Sequence, residues 1–244
     1  MSNLVIIPTY NERENVEAIL RAVFSLPEPF HVLIVDDGSP DGTAGIVRGL
    51  QSAFPGQLHL LERHGKLGLG TAYIAGFRWG LERDYAYFFE MDADFSHNPS
   101  DLIRLLAKCR NEGADVAVGS RYVRGGQVEN WPADRIILSY GASLYTRIML
   151  WMPVADPTAG FICYRREVLQ AIDLERIRFV GYAFQIEMKY AAYTLGFKVR
   201  EVPITFKDRE KGQSKMSLKI IREAVLGVLQ MHWRSWFRSY RKGA

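Results

Sequence analysis

Two carboxylates one residue apart, Asp92 and Asp94 in the run Met91-Asp92-Ala93-Asp94-Phe95-Ser96-His97, are the residues whose types and spacing point most directly to chemistry. Two such charges repel unless a cation lies between them. Hard oxygen ligands suit Mg²⁺ or Mn²⁺, which keep several waters and bridge to a substrate phosphate. The run therefore predicts a metal–diphosphate site, the alternative being a polar turn whose carboxylates cap backbone amides. His97 reads as a turn or cap residue before Asn98-Pro99. A second acidic run, Val35-Asp36-Asp37-Gly38-Ser39-Pro40-Asp41-Gly42, has the opening spacing of a calcium loop but carries Arg48 where the bidentate Glu belongs. Its carboxylate suits a nucleotide base or ribose instead, with Pro8, Tyr10 and Glu12 as an opposite wall, or else a helix-capping turn. Gly65-Lys66-Leu67-Gly68-Leu69-Gly70 offers close backbone approach and a cation ahead of a helix. Tyr73 stands where a dinucleotide fingerprint needs its third glycine, so an NAD site is not supported.

Both acidic runs follow short apolar segments, and those segments alternate with stretches of helical period, the pattern of βαβ units and a mainly parallel sheet. The expected strands are Leu4–Ile7, His31–Val35, Leu58–Leu61, Tyr85–Met91, Val116–Val118, Phe161–Tyr164 and Phe197–Val202. Asn11 with Glu14 three residues on reads as a capping box opening a helix that carries Val16, Ile19, Leu20 and Val23. Further helices are expected over Thr43–Ala53, Thr71–Leu81, Leu102–Cys109, Arg135–Trp151 and Phe184–Leu195. Ser120–Pro132 reads as a long loop and Lys207–Lys215 as a charged one. A last amphipathic helix begins near Ser217, with Leu218, Ile221, Val225, Val228 and Leu229 on one face. In an open α/β sheet of this kind, ligands bind outside the carboxyl ends of the strands, where both acidic runs stand.

The chain has 244 residues, 48% hydrophobic and 24% charged, within the range of one α/β domain. Its net charge of +4 is uneven: the last 39 residues hold ten Lys/Arg against three Asp/Glu, leaving −3 for the remainder. That remainder offers no broad basic face, so no nucleic-acid partner is expected. The two cysteines, Cys109 and Cys163, form neither a disulfide framework nor a zinc motif, and the N-terminus has no secretory pattern, so a cytoplasmic protein is expected. The longest apolar stretch, Ala224 to Leu229, is far short of the roughly 18 residues a membrane span needs.

Pro8-Thr9-Tyr10-Asn11-Glu12, Asp36-Asp37-Gly38-Ser39-Pro40-Asp41-Gly42-Thr43, Asp92-Ala93-Asp94-Phe95-Ser96-His97, Gly119-Ser120-Arg121-Tyr122 and Gly212-Gln213-Ser214-Lys215 occur in that order, joined by Phe184-Gln185-Ile186-Glu187 and Pro203-Ile204-Thr205-Phe206. In this the chain resembles the dolichyl-phosphate mannosyltransferases, a branch of the inverting family 2 glycosyltransferases, over nearly its whole length. The resemblance implies a GT-A fold over 1–215, followed over 216–244 by a basic, aromatic amphipathic helix. It also implies a GDP-mannose donor and a polyprenyl phosphate acceptor, with Mg²⁺ or Mn²⁺ as cofactor. Carried over by position, Pro8, Tyr10, Glu12, Val35 and Asp37 contact the nucleoside, and Asp92, Ala93 and Asp94 the diphosphate, with Asp92 and Asp94 on the metal. Arg121, Arg209 and Lys215 hold phosphates, Arg135 and Ser139 belong to the acceptor phosphate, and Asp94 and Arg121 are the catalytic pair. The chain departs from the family's best-known soluble members in reading Ala159 before Gly160-Phe161 and Ile162-Cys163 after it.

The implied reaction is in-line displacement at the anomeric carbon. A phosphate monoester has its second pKa near about 6, so the nucleophile is already ionised at neutral pH and no strong protein base is called for. The chain would meet its lipid acceptor as a peripheral protein on the cytoplasmic face of a membrane, with or without a membrane-protein partner. Trp233, Trp236, Phe237 and Tyr240, interleaved with Arg234, Arg238, Arg241 and Lys242, are expected at the headgroups. The rival readings are a UDP-glucose-dependent transferase, a metal-dependent phosphohydrolase and a catalytically silent nucleotide-binding membrane protein.

Overall fold

The computed structural model describes residues 2–181, 183–208, 218–235 and 239–243, the side chains of 218–224 and 235 excepted. Strands β1 (Ser2–Thr9), β2 (His31–Asp36), β3 (Leu58–Glu62), β4 (Tyr85–Glu90), β5 (Val116–Ser120), β7 (Ile162–Arg165) and β8 (Val199–Pro203) form one sheet in the order β3-β2-β1-β4-β7-β5-β8. β3, β2, β1 and β4 run parallel, β7 is antiparallel between β4 and β5, and β8 is parallel to β5. Alternation along β1 explains why both faces are covered: Leu4 and Ile6 point into one apolar cluster, Val5 and Ile7 into the other, and all four are fully buried. On the first face lies α3 (Leu69–Leu81); on the second, α1 (Val16–Phe24) and α4 (Asp101–Arg110). α3 sits so close that a Cβ at Gly80 would come within 2.6 Å of Leu4.

Connection order reverses between β1 and β4, since β1 leads to β2 on one side while β4 pairs on the other. The carboxyl ends of these strands and of β5 open on one edge of the sheet, the switch point where the fold leaves a crevice.

The remaining elements depart from the sequence expectation at a few places, each with a physical reason. The first helix begins at Val16, not behind Asn11: Asn11 has a left-handed backbone (φ 60°), its N–H bonds Ser39 Oγ at 3.0 Å, and the Glu12 carbonyl accepts from Asn15 and Val16. Asn11 thus ties two strand tips together instead of capping a helix. The expected loop 120–132 contains β6 (Gln127–Glu129), which pairs in parallel with β9 (Thr205–Lys207), at the start of the expected charged loop. A short α6 (Arg166–Ala171) follows β7, and α2 (Thr43–Leu50) ends before Ala53. α5 (Ala133–Leu150) and α7 (Ala183–Thr194) fall where the helical period placed them. α8 (Leu218–Ser235) packs against both, with Val228 and Met231 buried and Val225, 41% exposed, at the mouth side of the same face, where it lines a cavity with Val228. Tyr240, expected at an interfacial surface, is buried, with its hydroxyl donated to Glu187 Oε1 at 3.2 Å. Trp233 is exposed as expected, and Trp236, Phe237 and Arg238 lie outside the described residues. Among the described residues no helix is long and apolar enough to cross a membrane.

Candidate active site

The Asp92-Ala93-Asp94 turn leaves β4 directly. Met91 N–H still bonds the Ile6 carbonyl of β1, so the two carboxylates emerge at the switch point. Asp94 is nearly buried and its Oδ1 accepts the Ser96 N–H at 3.0 Å, whereas the Asp92 side chain remains 40% exposed. Phe95, next in the chain, adopts φ 61°, a conformation costly for a bulky residue, and one that turns the chain back within the run. His97 is neither ligand nor helix cap. It is buried, stacked on Phe161 at 4.8 Å, and its Nδ1 accepts the Asp92 N–H at 3.2 Å. Burial lowers its pKa to about 4, opposed by the nearby Asp94 charge, so the ring stays neutral and Nδ1 stays an acceptor.

Two carboxylates supply two oxygen donors, and no cluster of three or more His, Cys, Asp or Glu is present among the described residues. That set fits a hard divalent ion that keeps water and takes further ligands from a substrate diphosphate. Ser96 Oγ, buried without a hydrogen-bond partner and lining the same cavity, is a third oxygen of the right kind.

On the β1–β2 side, Thr9 and Ser39 hydroxyls both donate to Asp36 Oδ1 (2.8 and 2.6 Å), so Asp36 fastens the turn. Asp37 has a different partner, because Arg63 Nε and a terminal guanidinium nitrogen both approach its Oδ1 (2.7 and 2.6 Å), and Arg63 also donates to Thr71 Oγ1. Lys66 of the glycine-rich loop stands 4.8 Å above the Tyr10 ring. Glu12 is half-buried, accepts from Asn15 Nδ2 and donates its N–H to Thr43 Oγ1, while Pro8 and Val35 are register partners on β1 and β2. The expected nucleoside residues therefore share one wall beside the Asp92-Ala93-Asp94 turn. Arg63 joins that wall without having been expected there, since nothing in its spacing marks it.

Across the same turn opens a cavity of about 200 Å³, lined among others by Asp92, Asp94, Ser96, Arg121, Arg135 and Ser139. Arg121 follows β5. Its Nε and one terminal nitrogen donate to the two oxygens of Asp156, both at 2.7 Å, its backbone N–H donates to the same carboxylate, and Thr158 Oγ1 accepts a further bond at 2.8 Å. Asp156 is fully buried, and the Arg121 guanidinium holds its carboxyl below the usual range against the opposing effect of burial. Phe206 of β9 and Trp131, whose ring centroids lie 5.4 and 5.5 Å from the guanidinium, complete the surround. Arg135 stacks on Trp131 at 3.9 Å and reaches both oxygens of Asp208. Asp156, Thr158 and Trp131 likewise carry no signal in the sequence; Arg209 and Lys215 lie outside the described residues. The structure thus unites Asp92, Asp94, Arg121, Arg135 and Ser139 around one cavity, a cation-lined chamber beside an acidic turn, a setting that suits anionic groups.

A model of glycosyl transferase family 2 matches residues 4–173. This chain belongs to that family. Over 227 residues it is 52% identical to the polyprenol monophosphomannose synthase of Mycolicibacterium smegmatis, covering 93% of this chain and 85% of that one. It is 50% identical to the undecaprenyl-phosphate mannosyltransferase of Micrococcus luteus, covering 93% of each. The dolichol-phosphate mannosyltransferase of Pyrococcus furiosus is 38% identical, covering 94% of this chain and 63% of that one. Among solved structures, glucosyl-3-phosphoglycerate synthase from Mycobacterium tuberculosis superposes with a TM-score of 0.66 at 16% identity, covering 95% of this chain and 79% of that one. A Pyrobaculum calidifontis mannosyltransferase in complex with GDP-Man and Mn²⁺ gives 0.60 at 17%, covering 97% and 64%. The family 2 enzyme has the GT-A fold expected from its motifs.

Proposed function

We propose that this family 2 enzyme transfers mannose from GDP-mannose to a polyprenyl phosphate with inversion, at a membrane surface. The observation that carries the reading is the lining of the cavity. Its walls combine the carboxylates Asp92 and Asp94, the cations Arg121 and Arg135, and the apolar Leu138, Ala142 and Tyr145 of α5 with Val225 and Val228 of α8. A diphosphate with its metal, an anionic acceptor head and an apolar chain are the three chemistries that such a lining accommodates. The names of its relatives in mycobacteria, micrococci and archaea agree with that set.

In this mechanism an acceptor phosphate oxygen attacks the anomeric carbon while the bond from that carbon to the donor's distal phosphate oxygen breaks, and GDP departs. Asp92 and Asp94, with Ser96 Oγ, would hold Mg²⁺ or Mn²⁺, which supplies neutralisation of charge on the leaving diphosphate. Arg121, fixed by Asp156, draws the two anions together, and Arg135 holds the acceptor head against Trp131. Neutral His97 keeps Asp92 in place and moves no proton. Attack opposite the leaving group converts an α-linked donor to a β-linked product.

The outer face of α5 supports the membrane part of the reading. Ile137, Tyr140, Leu144, Ile148 and Trp151 recur at helical spacing and are all exposed, Trp151 at 82%, and α8, which packs against α5, exposes Leu226 and Trp233. A soluble surface rarely carries such a stripe, and the helix that carries it also lines the cavity through Leu138, Ala142 and Tyr145. Of the interfacial aromatics expected over 216–244, Tyr240 is withdrawn by its burial and Trp233 is exposed, and in this reading the outer face of α5 joins α8 at the cytoplasmic face of the membrane.

The test is transfer of labelled sugar from GDP-mannose, with UDP-glucose in parallel, to a short polyprenyl phosphate with Mn²⁺ or Mg²⁺, with and without chelator. The expected result is chelator-sensitive, β-linked lipid product from GDP-mannose. Product from UDP-glucose alone would overturn the donor, an α-linked product the stereochemistry, and no product from either the enzymatic reading.

A further inference from the structure

Beneath the cavity lies a charged side chain that the reaction above does not use. Lys189 of α7 is fully buried, and among the described lysines and arginines it alone falls in the buried class as a whole residue. Its Nζ donates to the Ala159 carbonyl at 2.6 Å and to the Gln185 carbonyl, one turn earlier, at 2.8 Å. The charged groups facing it are Glu90 from β4, Asp156 from the segment before β7, Arg121 from the end of β5 and Glu201 from β8. An ammonium seldom enters an interior unless its partners hold it there.

What Lys189 holds is the strap 155–160. Glu201 accepts the N–H groups of Ala155 and Asp156 (2.7 and 2.9 Å), fixing one end. Asp156 and Thr158, in the middle, are the two side chains that grip Arg121. At the other end Ala159 and Gly160 line the cavity, and with a methyl group and a hydrogen for side chains they cannot anchor themselves. The Lys189 ammonium, on the Ala159 carbonyl, is the anchor there. What is held at Ala159 is the backbone oxygen, not the side chain.

We propose that Lys189 is a positioning residue for the transfer step, pinning the strap at Ala159 so that Asp156 and Thr158 present the Arg121 guanidinium to the reacting phosphates. The inference rests on the proposed function for the identity of those phosphates. Lys189 does not itself reach the cavity and touches no reacting group. Burial lowers its pKa to about 8, with Glu90 pulling the other way, so the ammonium is present at neutral pH and is lost as pH rises through about 8. Its positive charge and one donor then disappear, which predicts an alkaline fall in turnover.

Lys189→Met keeps the length and removes the charge and the donors; Lys189→Gln keeps one donating amide. In the full-length protein, Lys189→Met is expected to lower kcat about 10- to 100-fold, since a small misplacement of a catalytic group costs that much. The Kd for GDP, measured by calorimetry, stays within about threefold, because the nucleoside wall lies on the far side of the Asp92-Ala93-Asp94 turn. The alkaline limb near pH 8 disappears in Lys189→Met, and Lys189→Gln falls between it and the wild type. Turnover within twofold of wild type in a folded Lys189→Met, an equal loss of GDP binding and turnover, or an alkaline limb that survives the substitution would each overturn the proposal. Should Lys189→Met not fold, Lys189→Gln is read by the same three criteria. A wild type that uses UDP-glucose instead of GDP-mannose defeats the functional reading alone, and the comparison is then made with that donor and UDP.

Discussion

Both oxygens of Asp156 face Arg121, and a guanidinium held in this way has little freedom to follow a moving charge. Its value to the reaction is that it is already oriented when the two phosphates arrive. Lysine would retain the charge and lose the planar fork, so Arg121→Lys is expected to lower kcat/KM for the acceptor by about 10²–10³-fold, and also to lower the unfolding midpoint because buried Asp156 loses its bidentate partner. Steady-state kinetics beside a urea titration separate those effects. Ser96 is tested differently. If its orphaned hydroxyl joins the metal shell, Ser96→Ala raises the Mn²⁺ concentration needed for half activity by about tenfold and leaves turnover at saturating metal nearly intact. An unchanged metal requirement would remove Ser96 from the shell. At this scale the sequence discloses the residues that lie in compact runs: Asp92 and Asp94 are two apart, and Asp37 stands in a turn signature. It does not disclose Asp156, Arg63 or Lys189, whose partners lie 35, 26 and 30 residues away and leave no spacing to read.

The helices and long strands are legible because each carries a periodic apolar face, and the antiparallel β7 can be found as a strand although its direction has no sequence mark. β6 and β9 are not legible, being three residues each with no alternation to detect, yet they carry Phe206 to the Arg121 cavity. Asn11 and Glu14 form a sound local signal that tertiary contacts override, since the Asn11 N–H finds Ser39 on the next strand tip. α5 is the element whose amphipathicity is hardest to interpret, because its apolar residues lie on both sides: Leu150 inward, Ile137, Leu144, Ile148 and Trp151 outward. A helix that merely packed on the core would place charges at those outward positions. Replacing Ile148 and Trp151 together by Glu should reduce binding to vesicles containing anionic lipid by at least about tenfold, each buried apolar side chain contributing about 1.5–3 kcal/mol. Transfer to a short, water-soluble acceptor should be preserved. Vesicle sedimentation that is unchanged in this variant would send the membrane contact elsewhere.

Taken as a whole, the molecule closes its C-terminal end onto its centre, which changes what removing that end would do. The Tyr240 carbonyl accepts the Asp173 N–H at 2.8 Å, Lys242 N–H bonds Ala171, and the Tyr240 hydroxyl bonds Glu187, whose other oxygen accepts the N–H groups of Arg178 and Phe179. The next residue, Val180, accepts the Gly70 N–H at the start of α3, beside the glycine-rich loop, so the tail, α7 and the donor side of the site form one hydrogen-bonded series. Trimming the chain after Gln230 would therefore unseat Met231 and Tyr240 and disturb folding before it disturbed membrane binding. Tyr240→Phe isolates the single bond. Burial raises the Glu187 pKa, and the two backbone amides with the Tyr240 hydroxyl lower it again by favouring the carboxylate. A carboxyl group whose folded pKa exceeds its unfolded one loses stability as pH rises through that window, because the unfolded chain releases a proton that the native state keeps. Removing the hydroxyl raises the folded pKa further and leaves the charged form short of a donor. Tyr240→Phe should therefore cost about 1–2 kcal/mol at pH 8 and less at pH 5, since the hydroxyl favours the carboxylate and its loss matters less as the carboxyl takes up a proton. Urea unfolding of both proteins at the two pH values measures the difference. An equal cost at both would mean that the hydroxyl serves the packing of Tyr190 and Tyr240 and not the charge of Glu187.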